Sequence, residues 1–175
     1  AFGAQYAAWG YAINLMSAEV EADNNFGNYE DIGCTLTQGY WKTHADPSRK
    51  QYDATWDKVG GPDAPFMETG QSYLEVMNTP PAGGNAYYIL AHQYIAAILN
   101  SMKDENPAST SMITAELAQA AALLGFYDTY AGGPEIPADG TEFSDNDRAL
   151  AISLAETLDM FNNGELPGGP PHCED

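Results

Sequence analysis

The chain has 175 residues, with 25 Asp+Glu against 6 Lys+Arg and a formal net charge of −19. At 44% apolar and 11% aromatic it can bury one core and is too hydrophobic for a disordered acidic tail. Phosphate backbones and anionic membrane surfaces would repel it, and no stretch reaches the roughly 18–20 apolar residues of a membrane span. A basic partner, a divalent cation, a neutral glycan or another copy of the chain stay open.

Residues 1–22 form the first unit. Tyr6, Trp9, Ile13, Met16 and Val20 recur at helical spacing, with Ala7, Ala8, Ala12, Leu15 and Ala18 over much of the remaining circumference. No charged side chain precedes Glu19. A helix so apolar has to be covered, either by its own domain or by a neighbouring copy. Glu21 to Gly33 is rich in Asn, Asp and Gly and reads as a loop, so 1–33 is an N-terminal helix and loop and 34–175 the main domain.

From Cys34 to about Gly84 the pattern is irregular. Thr35-Leu36-Thr37 suggests a short strand, Asp46-Pro47 the start of a short helix, and Ser72 to Met77 another helix. Gly60-Gly61-Pro62 and Pro80 to Gly84 read as turns. The second half is helical. Asn85 can cap a helix to about Lys103, with Tyr88, Ala91, Ile95, Ile98 and Met102 on one stripe. A second helix, capped among Ser109 to Ser111, offers Ile113, Leu117, Ala120 and Leu124 to a core and stops at Gly125. After a Gly/Pro loop, Ala131 to Gly140, a third opens with Ser144 and Asp147 as a capping box. It carries Leu150, Leu154, Leu158 and Phe161 and ends at Asn162-Asn163-Gly164. The expected fold is mainly α, a helical bundle with a long loop-rich segment laid over it.

Cys34 and Cys173 are even in number, far apart and in no CxxC, which suggests one disulfide in an oxidising compartment rather than two buried thiols. The first residues lack the basic run of a signal peptide, and Ala1 stands where Met would. A mature secreted chain is the expectation, extracellular or on the cell surface. Scarce Lys with abundant acids also suits a saline exterior, where salt screens self-repulsion.

The densest chemical string is Cys34 to His44, CTLTQGYWKTH. It resembles a family of bacterial secreted and cell-surface domains that open with a C-T-x-T-Q-G-Y-W-K-T-H motif. Two later segments are similar to the same family: Pro81 through Gly84-Asn85-Ala86 to Leu99-Asn100, and Asn162-Asn163-Gly164 with Gly169-Pro170 and His172-Cys173. The resemblance spans roughly 34–175, leaves out 1–33, and implies no activity, since the family has no established biochemistry. His92 and Ile98 stand where basic residues are expected and Pro171 where Gly is. Physically the motif reads as architecture: Tyr40 and Trp41 bring apolar area with a polar handle, Gly39 lets the backbone turn, and Thr37 and Gln38 can satisfy buried backbone groups beside the bridge.

Chemistry has few anchors. His44, His92 and His172 could hold zinc if they converged, though their spacing is no metal motif. Asp23, Asn25, Glu30 and Asp31 in one loop, and Asp145 and Asp147 near the last helix start, are oxygens of the kind calcium takes, without an EF-hand register. Solvated acids and helix-dipole complements explain them as well. No GxSxG, P-loop or GxGxxG occurs, and no cofactor other than calcium is implied. The preferred expectation is a non-enzymatic structural protein that self-assembles into an extracellular polymer, with the helix at 1–22 docking into the next subunit. The alternatives are a calcium- or glycan-binding surface module and a small metal-dependent hydrolase.

Overall fold

Helix α3, Ala86–Met102, is the axis around which the other described helices pack. The computed structural model describes residues 32–130, 136 and 142–174. The other helices are α1 (Gln38–Thr43), α2 (Tyr73–Asn78), α4 (Thr114–Tyr130) and α5 (Glu142–Asn162), with a 3-10 helix at Ala54–Val59. Helix α3 packs chiefly against α5, then against α4, α2 and α1. It is therefore buried on several sides, through Tyr87, Leu90, Ile95 and Leu99 and through the small Ala86, Ala91, Ala96 and Ala97 that let neighbouring helices come close. Ala151, Leu154, Ala155, Leu158 and Phe161 form the covered face of α5 at helical spacing. The architecture is mainly helical, as expected, and one disulfide joins Cys34 to Cys173.

Helix ends follow local chemistry. Asn85 caps α3, its Oδ1 accepting from the Tyr87 backbone N–H at 3.0 Å. The same oxygen accepts from the backbone N–H of Ile136, whose side chain is fully buried, at 3.1 Å. Ser72 opens α2 with a reciprocal capping box: the Glu75 N–H donates to Ser72 Oγ, and the Ser72 N–H donates to Glu75 Oε2.

The loop-rich segment has an aromatic core of its own. Trp41 and Trp56 meet edge-on at 6.5 Å, Trp56 and Tyr73 at 6.4 Å, Phe66 and Tyr73 at 5.1 Å, and Phe66 and Tyr94 of α3 at 6.4 Å. Such pairs add about 0.5–1.5 kcal/mol each beyond area burial. A chain of rings thus does for this segment what regular secondary structure does elsewhere.

Several expectations need correction. Asp46-Pro47 opens a turn: Asp46 Oδ1 accepts from the Ser48 N–H and hydroxyl, which ties the backbone without a helix. Thr35 makes only an isolated parallel bridge to His172 in place of a strand. Gly39 lies inside α1 rather than at a tight turn. Helix α4 begins at Thr114 and continues through Gly125, because Tyr127 beyond it is buried and bonded to α5. Helix α5 already begins at Glu142, so Ser144 lies within it and is not its cap. Leu150 faces solvent, and Ala151 takes the covered position. On α3 the half-covered Tyr88, Ile98 and Met102 flank the deepest residues rather than forming that stripe.

Candidate functional site

One buried amide gathers the three sequence segments of the motif. Asn100 Oδ1 accepts from the Leu36 backbone N–H at 2.8 Å and from the Trp41 indole N–H at 3.3 Å. Its Nδ2 donates to Leu36 O at 2.8 Å and to Asn162 Oδ1 at 3.0 Å. Asn162 then donates to Gln93 O and Oε1 at 3.0 and 2.9 Å, and Gln93 Nε2 donates to Asp159 Oδ1 at 2.8 Å. Asn100 is fully enclosed, and all four of its hydrogen-bonding positions are filled. Trp56 extends the network, its indole N–H donating to Trp41 O at 3.2 Å. Among the described residues no buried side-chain nitrogen or oxygen lacks a partner. This is a satisfied polar network of the kind that fixes one packing of a core.

Beside it lies the bridge. Cys34 and Cys173 are 139 positions apart, and the chain-entropy model gives such a loop about 4–5 kcal/mol as an upper figure. Two glycines allow the backbones to meet there. A Cβ on Gly33, at φ +68°, would stand 2.0 Å from Pro107 O, and one on Gly164, at φ +70°, would stand 2.1 Å from the His172 nitrogen. Lys103, half buried, points its Nζ at both sulfurs, 3.2 Å from Cys34 Sγ and 2.6 Å from Cys173 Sγ. Burial holds its ammonium below the ordinary lysine range.

A neighbouring face of α1 is open. A groove of about 550 Å³ is lined by Gln38, Gly39 and Lys42 of α1, Met77 and Asn78 of α2, Thr79, Pro80 and Pro81 after it, and His92 of α3. His92 Nε2–H donates to Val76 O at 2.9 Å. Burial, with the nearby Lys42 charge adding to it, keeps the imidazole below its usual pKa and neutral at pH 7. A neighbouring hollow shares Asn78, Thr79 and Pro80, but its charged side chains are Asp63 and Glu75.

The remaining candidates lie apart from this groove. His44 stacks on Tyr40 at 3.8 Å, and its Nδ1–H donates to Tyr40 O at 2.8 Å. His172 Nδ1–H donates to Cys173 O at 2.7 Å. Among the described residues no three His, Cys, Asp or Glu side chains form a group that could hold a metal ion, so the three histidines do not converge on one. Asp145 is exposed, and Asp147 accepts from the Tyr127 hydroxyl at 2.8 Å; burial first, then this carboxylate, pushes Tyr127 up to about 12. The Tyr87 hydroxyl likewise donates to Asp128, whose carboxyl burial lifts above its ordinary range. Tyr6, Trp9, Ile13, Met16 and Val20, and the loop acids Asp23, Asn25, Glu30 and Asp31, lie outside the described residues.

The sequence singles out Trp41, whereas Asn100 enters only through the resemblance, and Asn162 through the resemblance and as the stop of the last helix. The signal for Asn100 was an amide directly after the apolar run Ile95 to Leu99; Asn162, at the end of a helix rich in charged and polar residues, gave none for its role in the network. Gln38 was assigned to the bridge and instead lines the groove. Family models, curated proteins and solved structures give no match to this chain.

Proposed function

We propose that the chain is an extracellular structural subunit that assembles with copies of itself into a filament-type polymer. In this reading the apolar stripe Tyr6, Trp9, Ile13, Met16 and Val20 docks on the helical domain of a neighbour, a heterologous contact that propagates when it does not close. One observation carries the reading. The exposed large apolar side chains of the described residues, Met112, Phe126, Leu150 and Met160, all belong to α4, α5 and the turn leading into α4. An apolar segment in need of cover is thus matched in chemistry by one layer of the domain. The bridge and the Asn100 network support the reading too, since a subunit has to hold its shape before it meets a partner.

The test is the assembly state of the full chain by sedimentation velocity and electron microscopy, beside a Trp9→Glu, Ile13→Glu variant. Polymers from the parent and single particles from the variant are the expected outcome. A parent that stays dispersed, or a variant that polymerises equally well, overturns the reading.

A further inference from the structure

Copies of a chain with net charge −19 repel one another, so a contact between them gains from a cation placed at it. The chain has six. Arg49 pairs with Asp46 at 3.0 Å, Lys58 pairs with Asp104 at 2.5 Å, Arg148 Nη1 donates to Gly84 O at 2.6 Å, and Lys103 sits on the disulfide. Lys50 stands exposed on a turn. Lys42 alone is half buried in a groove with no carboxylate within ion-pair distance among the described residues.

We propose that the groove between α1, the α2–α3 turn and α3 receives the acidic stretch 21–31 of a second copy, with a carboxylate of Glu21, Asp23, Glu30 or Asp31 on Lys42. The inference rests on the self-assembly reading and names its polar contact. Charge complementarity carries it: no Lys or Arg precedes Lys42 in the sequence, so the stretch is purely anionic, and in the groove it meets a cation with no carboxylate within ion-pair distance among the described residues. Gln38 and Asn78 add side-chain amides that make no hydrogen bond to another described residue and suit the backbone of an extended peptide. A neutral His92 leaves Lys42 as the groove's charge. The adjoining hollow, with Asp63 and Glu75, would turn the same stretch away. Added salt weakens such a contact.

An equal mixture of isotopically light and heavy full-length chains, assembled and treated with a zero-length carbodiimide, tests it. Mixed-isotope links between Lys42 and an acid of 21–31 are expected. Lys42→Glu should raise the concentration for half-assembly about tenfold, because it replaces attraction with repulsion. Lys42→Met should raise it less, with an unchanged melting temperature showing that the fold is intact. Links confined to one copy, links to other acids only, or normal assembly of Lys42→Glu overturn the proposal. If Trp9→Glu, Ile13→Glu disperses the polymer while Lys42→Glu does not, the self-assembly reading stands and this contact falls. A parent that never assembles removes both.

Discussion

Trp41 and Lys42 are neighbours in the chain and sit in opposite surroundings. Trp41 is wholly enclosed, its ring against Trp56 and its N–H on Asn100. Lys42, a rotation of about 100° further round α1, faces the groove beside His92 and meets no carboxylate among the described residues. One short helix thus joins a region whose buried polar groups are all engaged with a groove in which the Lys42 ammonium meets no carboxylate among the described residues. The difference separates what the motif does for the fold from what it offers to a partner. Buried amides with four filled positions tolerate no change. A half-exposed cation in a groove costs little to alter and so can serve recognition.

The contrast is broken most severely at Asn100. Asn100→Leu leaves the Trp41 indole N–H, both Leu36 backbone groups and Asn162 Oδ1 without their partner, and should cost about 3–6 kcal/mol in denaturant unfolding. A loss under about 1 kcal/mol would show that the network does not hold the domain. Gly164→Ala comes next, since its Cβ would collide with the His172 backbone in a left-handed conformation. A loss of about 2–3 kcal/mol is expected, read as a lower urea midpoint at an unchanged slope.

The groove side should respond to pH rather than collapse. The folded His92 pKa lies below its unfolded value near 6.5, so between those values the unfolded chain binds the extra proton. The His92 contribution is therefore present above about pH 6.5 and is lost as pH falls through that window. His92→Gln should flatten this part of the stability–pH curve, measured by thermal melts from pH 7 downward. An unaltered slope would show that His92 is not held neutral.

Local chemistry was legible where it is local. Asn85 as a cap, the short helix from Ser72, the Asn162 stop and the apolar spacing of Leu154, Leu158 and Phe161 could all be read directly, because each depends on residues within one or two turns. Gly125 misled, since an interior glycine costs a helix only about 1 kcal/mol and the buried Tyr127 outweighs that. Helix α1 was hidden for a similar reason: six residues with a glycine second form a helix here because Trp41 is gripped on both sides.

The candidate groove was not legible at all. Gln38, Lys42, Asn78 and His92 come from three helices, and nothing in their spacing announces a common surface. Composition determined that this chain would be acidic, helical and fit for one disulfide, since charge, apolar periodicity and cysteine count are properties of a string. Which amide would satisfy which indole, and which lysine would stand without an acid among the described residues, only the packing of the helices decided. Hydrogen bonds and ion pairs act over a few ångströms, and only the fold brings Leu36, Asn100 and Asn162 within that range.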